Sequence, residues 1–359
     1  MWKKRMLRSL AGVLAVVLLL GGCTAEPEWS RWRRSFMDTF DTIVELVGYA
    51  RDAEEFQQYA DELHRELLYY NQLFDKYHSY EGMNNIKTIN DNAGVAPVQV
   101  DPDLVEMLLL CKEWTERTDG AVNVCMGPVL EIWHEYRERY AGSTDGELPP
   151  MEELQAAAQL TDIDQLIIDE EAGTVFLAEP GMSLDVGAVA KGYATELVCQ
   201  KLYAQGYTSF AVSSGGNVRL MDAPPVEDRT AWSIGIQDPL NADATVDSVV
   251  GNNLSIVTSG DYQRYYMVDG KKVHHIIDSK TLMPADRFIS VTVVCEDSGI
   301  ADLLSTALFI LPKEQGEQLA AEEGAEVMWI HPDGTVECTN GLIPLLKERG
   351  GATTEPAGA

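Results

Sequence analysis

The segment Ser183–Glu196 constrains the fold of this chain more than any other stretch. Its short apolar run ends in the carboxylate of Asp185, two small residues follow, and Lys191 stands near the start of the predicted helix Val189–Ala204. This order predicts a strand, a tight turn and a helix. A helix N-terminus that carries a lysine can hold a phosphate, because backbone N–H groups and an ammonium group face the same space. The alternative is a helix entry with a surface lysine, since neither common nucleotide-binding fingerprint is present.

The first 22 residues have the pattern of a targeting segment. Basic residues precede the apolar run Leu10–Leu20, which is too short to span a bilayer comfortably, and Gly21, Gly22 and Cys23 follow directly. Small residues before a cysteine are typical of a bacterial lipobox. We therefore predict a lipoprotein signal peptide over residues 1–22, a lipid on Cys23, and an extracytoplasmic protein anchored to the cell membrane. The alternative is an ordinary secretory signal with an incidental cysteine.

The chain is strongly acidic. It has 57 Asp and Glu against 27 Lys and Arg, a net charge of −30, and loss of residues 1–22 removes four basic and no acidic residues, which leaves −34. Nucleic acid is therefore excluded as a partner, and membrane contact is expected only through the lipid anchor. A phosphorylated ligand would need local positive charge from a metal ion or a lysine.

The cysteines indicate no disulfide framework. Five of them follow Cys23, an odd number, with no CxxC pair and no histidine at metal-ligand spacing. We predict that most are small buried apolar residues, and they are Cys111, Cys125, Cys199, Cys295 and Cys338.

Periodicity and turn residues predict a mixture of helices and antiparallel hairpins. Apolar spacing favours a helix over Asp52–Phe74, and Asp101 followed by Pro102 opens another that runs to about Arg117. Asp-Gly pairs predict two of the hairpins. The absence of regular βαβ alternation favours the α+β class. The other predicted elements are strands Leu166–Asp169, Thr174–Ala178, Tyr265–Val268, Val273–Ile277, Ser290–Cys295, Val327–His331 and Val336–Thr339, and helix Ile300–Leu311.

We expect a single compact unit over residues 36–346, and leave open its division into two α+β subdomains. A polar spacer over residues 23–35 precedes it. A small-residue tail over residues 347–359 follows and is predicted to be disordered.

Asp302 and Thr306 offer oxygen ligands on one helix face. Four residues separate them, so their side chains lie together on the predicted helix. Mg²⁺ prefers oxygen, and it usually takes one or two protein carboxylates and completes its shell with phosphate and water. The pair is a candidate magnesium site. The alternative is that Asp302 caps the first turn and Thr306 bonds back to the helix.

His275 is the candidate proton acceptor. Alternation along its predicted strand sends His275 and Ile277 to one face and His274 to the other, and Asp278 follows at the strand end. A histidine can take a proton from a hydroxyl while a carboxylate holds its tautomer. Asp278 is the second candidate for that proton. The alternative is an exposed histidine beside a core histidine.

Two turns offer hydroxyl and N–H groups to a ligand. Thr258 and Ser259 precede a glycine, and Gly215, Gly216 and Asn217 form a similar turn. Glycine-containing turns let a ligand approach the backbone closely, although each also serves as a plain turn.

Taken together, these segments resemble the ApbE family of FAD:protein FMN transferases. Leu184–Tyr193 is very close to the family signature, and further matches occur in the family's order over most of the chain. A single match is weak, whereas the ordered set is specific. The further matches are Met37–Thr39, Ser79–Tyr80, Ile86, Asn90, Thr118–Ala121, Gly127–Pro128, Trp133, Gly215–Asn217, Thr258–Tyr262, His275–Asp278 and Ala301–Leu308.

The resemblance implies a reaction and its partners. FAD would be a substrate, and a threonine or serine hydroxyl of an acceptor flavoprotein would attack the phosphorus on the FMN side. FMN would become linked to the acceptor, a subunit of an extracytoplasmic electron-transfer system, and AMP would leave. Mg²⁺ would supply positive charge at the diphosphate.

The resemblance also implies residue roles. Asp302, Thr306 and the carbonyl group of Ala188 would ligate Mg²⁺. His275 would accept the hydroxyl proton, with Asp278 as the alternative. The residues expected to contact FAD are Met37, Tyr80, Ala121, Val122, Asn123, Asp185, Lys191, Thr258, Ser259 and His275.

The chain departs from the family pattern in places. The loop Val122–Cys125 lacks the family's usual aspartate, and Leu282 stands where the family has glycine. Lys191, His275 and Asp302 are all retained. Two other functions would use the same features: an FAD pyrophosphatase, in which water replaces the acceptor hydroxyl, and a flavin-binding lipoprotein without catalysis.

Overall fold

The computed structural model describes residues 29–356 and has the α+β architecture that the sequence predicts. Its largest part is an eight-stranded sheet, accompanied by a three-stranded sheet and two hairpins. The predicted signal segment lies outside the described residues, as do residues 23–28 of the predicted spacer, including Cys23. The spacer prediction is wrong for residues 30–35, which belong to the strand Ser30–Thr39 of the large sheet. Within residues 29–356, no helix is both long enough and apolar enough to cross a bilayer.

The large sheet is antiparallel throughout and has the strand order β1-β2-β6-β7-β10-β13-β14-β15. The small sheet has the order β3-β5-β4, and β8 pairs with β9 and β11 with β12. Numbered along the chain, the strands are β1 (Ser30–Thr39), β2 (Thr42–Ala50), β3 (Val98–Gln99), β4 (Leu166–Asp169), β5 (Thr174–Leu177), β6 (Phe210–Ser214), β7 (Asn217–Leu220), β8 (Trp232–Asp238), β9 (Asn241–Gly251), β10 (Ser255–Gly260), β11 (Tyr265–Val268), β12 (Lys271–His274), β13 (Ser290–Cys295), β14 (Glu326–Ile330) and β15 (Val336–Cys338).

The α-helices begin where the sequence provides caps. Asp52 and Asp101 each accept a hydrogen bond from the first helical turn that follows, which confirms the two predicted starts. The helices are α1 (Ala53–Leu73), α2 (Ile86–Asp91), α3 (Pro102–Arg117), α4 (Gly127–Arg139), α5 (Met151–Ala158), α6 (Ala190–Ala204), α7 (Ser298–Ile310), α8 (Lys313–Glu322) and α9 (Lys347–Gly350).

Helices α6 and α7 lie on one face of the large sheet and pack against each other. Alternation along β10 sends Val257 into the main core on this side and Ile256 into a second core on the opposite face. The hairpin β8–β9 covers the opposite face with Trp232 and Val249. The sheet is therefore buried on both faces, and this burial holds the N-terminal ends of α6 and α7 in fixed positions.

Two local predictions of element bounds need correction. Helix α7 begins at Ser298, two residues earlier than predicted, because Asp297 caps it and Asp302 does not. Strand β12 ends at His274, three residues earlier than predicted. The predicted alternation continues beyond it, because Ile276 lies in the main core and Ile277 in a separate cluster with Trp133 of α4.

The predicted strand before Asp185 is also absent. This segment forms no strand, and its backbone bonds to a side-chain amide and not to a neighbouring strand. Asn90 accepts a hydrogen bond from the Leu184 N–H at 2.7 Å and donates one to the Leu184 carbonyl at 3.1 Å. The next N–H, that of Asp185, donates to the carbonyl of Val124 at 2.8 Å. Asn90 thus takes the place of a strand neighbour.

The C-terminal segment, for which we predicted disorder, contains helix α9. The fully buried carboxylate of Asp247 accepts hydrogen bonds from the N–H groups of Glu348 and Arg349 and contacts the Arg349 guanidinium at 3.0 Å. Beyond the helix, the carbonyl of Thr354 accepts a hydrogen bond from the N–H of Thr230. The composition of the C-terminal segment does not reveal these contacts, because Asp247 lies about a hundred residues earlier in the chain.

The cysteine prediction is confirmed for four of the five residues. Cys111, Cys125, Cys199 and Cys295 are free and buried, and Cys338 is partly buried. Burial raises the pKa of Cys125 and of Cys295 to about 12, so neither forms a thiolate at neutral pH.

Candidate active site

The N-terminal parts of α6 and α7 bring a lysine and a carboxylate together. Nζ of Lys191 lies 3.6 Å from Oδ2 of Asp302, and the N–H of Gly192 donates to the same oxygen at 2.9 Å. Asp302 therefore occupies the positive end of α6, where the sequence predicted a phosphate. A phosphate at this site would rely on Lys191 and on a metal ion more than on free backbone N–H groups.

Gly192 allows the close approach of these two helices. A Cβ atom on Gly192 would lie 2.3 Å from the carbonyl oxygen of Ser298 and 2.5 Å from Cβ of Asp302. Any side chain here would push α6 away from α7 and break the hydrogen bond to Asp302.

The other two oxygen donors expected for Mg²⁺ come from the helix of Asp302 and from the turn before α6. Thr306 follows one turn later on α7, Ala188 lies in the turn before α6, and both are partly buried. Burial raises the pKa of Asp302, although Lys191 and the Gly192 N–H act in the opposite direction. A buried carboxylate of this kind is stabilised by a bound cation, and one carboxylate with neutral oxygens suits Mg²⁺. No group of three or more His, Cys, Asp or Glu side chains in residues 29–356 could hold a metal ion.

Asp185 forms an ion pair that the sequence did not indicate. Its Oδ2 lies 2.8 Å from Nζ of Lys76, and its Oδ1 accepts a hydrogen bond from the Gly187 N–H at 2.9 Å. Burial alone would raise the pKa of Asp185, but Lys76 and the Gly187 N–H outweigh burial and hold that pKa below its usual range. Asp185 is therefore a carboxylate whose charge is already balanced.

Basic and aromatic groups extend from this pair along α4. Nζ of Lys76 lies 4.9 Å from the ring centre of Tyr77, and that ring is 6.0 Å from the ring of His134. A guanidinium nitrogen of Arg137 lies 2.8 Å from Nδ1 of His134. Burial and the charge of Arg264 lower the pKa of Arg137. Positive groups thus line one side of the site in a protein of strongly negative net charge.

His275 faces these positive groups. Burial, followed by the charges of Arg264, His274, Arg137 and Lys191, lowers the pKa of His275 to about 3, so its imidazole is neutral at pH 7. Its Nδ1 is buried and has no hydrogen-bond partner among the described residues. The adjacent His274 is a core residue, and its Nε2 bonds to the carbonyl of Ala285 at 2.8 Å.

Asp278 does not orient His275 in this structure. Its Oδ1 accepts a hydrogen bond from the Lys280 N–H at 2.8 Å, and its carbonyl accepts one from the Leu282 N–H, which closes a turn. Leu282 has a φ of 59°, in the left-handed region that favours glycine. Its burial and the hydrogen bond from the Trp133 indole to its carbonyl hold it there.

Tyr80 and Met37 differ in how firmly their side chains are held. The hydroxyl of Tyr80 donates to Asp75 at 2.7 Å, and burial together with this carboxylate raises the pKa of Tyr80 to about 12. Met37 projects from β1 and its side chain is 72% exposed. Tyr80 is therefore fixed, whereas Met37 is free to cover a ligand.

The loop Ala121–Asn123 leads directly into Val124, which bonds to the Asp185 backbone. Ala121 and Val122 are buried, and the side chain of Asn123 is used internally, bonding to the Cys125 N–H and the Thr161 carbonyl. The next residue of the loop, Val124, accepts the hydrogen bond from Asp185. Asn123 accordingly shapes the loop and does not present its side chain to a ligand.

Thr258 and Ser259 point to opposite faces of the sheet. Ser259 bonds to Ser305 of α7 at 2.8 Å, next to Thr306, whereas Thr258 bonds to Thr292 at 2.8 Å. Thr258 lines a cleft of about 320 Å³ on the face that the hairpin β8–β9 covers. The structure thus brings Ser259 to the metal-site helix and places Thr258 away from it.

For four polar residues near the site, the sequence led to no prediction of what the side chain does. They are Lys76, Glu196, Asn217 and Arg219, and the buried Glu196–Arg219 pair has an Nε–Oε2 distance of 2.9 Å. Glu196 could have been noticed from the sequence, because it is a charged residue inside an apolar helix pattern. The sequence contained no comparable signal for Lys76, since Asp185 lies 109 residues away.

Comparison with known proteins supports the resemblance noted in the sequence. A family model described as "ApbE family" matches residues 40–329. An FAD:protein FMN transferase of Klebsiella pneumoniae (strain 342) is 34% identical over 235 residues, which cover 65% of this chain and 70% of that protein. An FAD:protein FMN transferase of Treponema pallidum (strain Nichols) is 33% identical over 276 residues, covering 73% and 75%.

Solved structures agree with this fold. The crystal structure of the ApbE protein from Thermotoga maritima MSB8 superposes with a TM-score of 0.77 at 26% identity, covering 89% of this chain and all of that one. The flavin transferase ApbE from Vibrio cholerae has the same fold, with a TM-score of 0.74 and 24% identity over 89% of this chain and all of its own. The predictions of family, fold class and enzyme class are confirmed: the chain belongs to the ApbE family of flavin transferases.

Proposed function

We propose that this flavin transferase moves FMN from FAD to a threonine or serine hydroxyl of an acceptor flavoprotein. The hydroxyl oxygen forms a bond to the phosphorus on the FMN side, the bond from that phosphorus to the AMP phosphate breaks, and AMP leaves. The observation that carries this proposal is the meeting of Lys191, Asp302 and the basic groups near His275 within one site of an acidic protein.

The positive groups supply what a diphosphate needs. Lys191 and Asp302 are 3.6 Å apart, so the ammonium group lies beside the carboxylate that would hold the metal. Charge on the diphosphate increases at the leaving oxygen as the bond breaks, and fixed cations in a partly buried site stabilise that charge. Asp185 competes little for these cations because Lys76 already balances it.

The donor set around α7 fits a magnesium ion. Asp302, Thr306 and the carbonyl of Ala188 would hold it, and the buried carboxylate with a raised pKa favours a neighbouring cation. When bound, Mg²⁺ polarises the reacting phosphoryl group and neutralises its oxygens. The residues of this chain then orient the diphosphate and keep Lys191 next to it.

His275 is the proposed acceptor of the hydroxyl proton. Its Nδ1 lacks a partner in the described residues, and it is neutral because neighbouring positive charges oppose a further one. A bound diphosphate would offset those charges and raise the pKa of His275 toward its ordinary value. The base would therefore become stronger when its substrate is present. Asp278 is the weaker candidate, because a turn already uses its carboxylate.

We also propose that the enzyme acts outside the cytoplasmic membrane. The support is the sequence of residues 1–23, with a basic start, a short apolar run and Gly21-Gly22-Cys23. A lipid on Cys23 would tether the domain, and the acceptor would be a flavoprotein subunit of an extracytoplasmic electron-transfer system.

One experiment separates the transferase from its alternatives. The protein is incubated with FAD, Mg²⁺ and a candidate extracytoplasmic flavoprotein subunit, and covalent flavin is read by in-gel fluorescence. We expect a fluorescent acceptor band together with AMP. Free FMN without a labelled band would indicate a pyrophosphatase, and bound but intact FAD would indicate a flavin-binding protein.

A further inference from the structure

A buried polar network lies beneath the proposed metal site. Arg219 of β7 contacts Glu196 of α6 through Nε at 2.9 Å and through a terminal guanidinium nitrogen at 3.3 Å, and both side chains are buried. Burying such a pair has a substantial desolvation cost, and it adds less stability than its geometry suggests. A role in positioning other groups is therefore a reasonable expectation for it.

The network continues to the first residue of α7. The same Glu196 oxygen that meets Arg219 Nε accepts a hydrogen bond from the Ser298 N–H at 2.9 Å. The hydroxyl of Ser298 donates to Oδ1 of Asn217 at 2.6 Å. Three secondary-structure elements, β7, α6 and α7, are thus held together by one connected set of hydrogen bonds.

The amide of Asn217 has its other end directed at Asp302. Asn217 is 1% exposed, and its Nδ2 is buried with no hydrogen-bond partner among the described residues. A Cβ on Gly192 would lie 2.9 Å from this nitrogen and 2.5 Å from Cβ of Asp302, so all three residues meet at one point. A reversed amide would place Oδ1 against the carboxylate, which electrostatic repulsion disfavours.

We propose that Asn217 is a positioning residue for Asp302. Its Nδ2, left without a partner among the described residues, lies where it can donate to the carboxylate beside the Gly192 N–H. The two donors together would fix the orientation in which Asp302 can offer its remaining lone pairs to a divalent cation. Ser298 holds the amide in this orientation, and the Glu196–Arg219 pair holds Ser298. This inference rests on the proposed metal-dependent function, and metal ligands in proteins are commonly oriented by such partners.

The test measures metal binding without turnover. Mn²⁺ is titrated into the full-length protein with ADP present, and free Mn²⁺ is followed by electron paramagnetic resonance. Asn217→Asp keeps the shape of the side chain but replaces the donor with an acceptor. We expect it to weaken Mn²⁺ binding roughly 10- to 100-fold, the range for partners of metal ligands. Ser298→Ala, which frees the amide to rotate, should weaken Mn²⁺ binding in the same direction by less.

The controls separate positioning from general damage. Asn241→Asp adds the same charge on the exposed start of β9, where an aspartate still accepts the Asp243 N–H, and it should bind Mn²⁺ like the parent protein. FAD affinity measured in chelator should stay within about twofold of the parent in the Asn217→Asp variant. In the flavin-transfer assay, Asn217→Asp should need a higher Mg²⁺ concentration than the parent protein. It should recover much of its transfer rate at saturating Mg²⁺.

The outcomes distinguish this inference from the proposed function. Parent-like Mn²⁺ affinity in folded Asn217→Asp and Ser298→Ala proteins would overturn the role of Asn217 and leave the metal site standing. A parent protein that binds no Mn²⁺ with ADP and transfers flavin equally well in chelator would overturn both.

Discussion

Nζ of Lys76 lies 2.8 Å from Oδ2 of Asp185, and this pair joins the end of α1 to the turn before α6. Both side chains are mostly shielded from solvent, with exposed fractions of 13% and 20%. The contact has a consequence for ligand binding. Without Lys76, an uncompensated carboxylate would stand close to the position proposed for a diphosphate.

Removing Lys76 alone should therefore be more harmful than removing the pair. We expect Lys76→Met to lower the free energy of unfolding by roughly 1–3 kcal/mol at pH 7, because it leaves Asp185 charged and partly buried. The double variant Lys76→Met, Asp185→Asn should regain part of this loss. Urea unfolding of the parent, both single variants and the double variant measures the coupling. If the losses of unfolding free energy in the two single variants add up to the loss in the double variant, Lys76 and Asp185 are not coupled.

Lys191 is expected to recognise phosphate and not flavin. Lys191→Gln should weaken FAD binding roughly tenfold or more, since a charged hydrogen-bonding group is lost. Riboflavin, which has no phosphate, should bind as it does to the parent protein. Fluorescence titration measures both affinities, and Lys191→Arg serves as the control that keeps the charge. An equal loss of affinity for FAD and for riboflavin in Lys191→Gln would contradict this assignment.

His275 gives a prediction about stability and pH. Its pKa is about 3 in the folded protein, against an ordinary value near 6.5, because burial and nearby positive groups disfavour the charged ring. The unfolded chain therefore binds more protons between pH 3 and 6.5, so this group's contribution is complete above pH 6.5 and decreases as pH falls. Between pH 7 and pH 4.5 the parent should lose roughly 1–3 kcal/mol more than His275→Gln.

Chemical denaturation at the two pH values checks this difference. His274, whose pKa is also lowered by burial, is retained in both proteins, so the comparison tests His275. Equal losses of stability in the parent and in His275→Gln would mean that His275 titrates normally in the folded state.

Asp247 should matter for stability and not for catalysis. Its buried carboxylate caps α9 and contacts Arg349. Strand β9 lies on the face of the large sheet opposite α7, which carries Asp302. Asp247→Ala is expected to lower the free energy of unfolding by about 2 kcal/mol, since it removes a cap and leaves buried N–H groups without a partner. Asp243→Ala, an exposed position on the same strand, is the matched control. A loss of flavin transfer in a folded Asp247→Ala protein would argue against this separation.

The sequence predicted those parts of the fold that local patterns determine. Asp52 and Asp101 marked helix starts correctly, and Asp269-Gly270 marked a hairpin, because caps and tight turns depend on a few adjacent residues. The strand before Asp185 was predicted wrongly, since Asn90 satisfies its backbone from a distant helix. The ordered tail was missed for a similar reason, because Asp247 holds it from another strand.

The candidate site was predictable to the extent that its residues lie on one element. Asp302 and Thr306 were identified from helical spacing alone. The residues around Asp302 were not, because Gly192 and Asn217 reach it through crossings of separate elements. Lys76 was missed for the same reason, since its partner Asp185 is distant in the chain. The strand that carries His275 was predicted too long, since β12 ends at His274, although the predicted alternation holds for Ile276 and Ile277.

The central claim is that Asp302 holds a divalent cation at the diphosphate of FAD. The most direct measurement compares Mg²⁺-dependent covalent flavin transfer by the parent protein and by Asp302→Ala, with folding of the variant confirmed by its unfolding transition. The account predicts that Asp302→Ala transfers flavin no faster than the parent protein in chelator. Parent-like transfer by Asp302→Ala at the same Mg²⁺ concentration would contradict it.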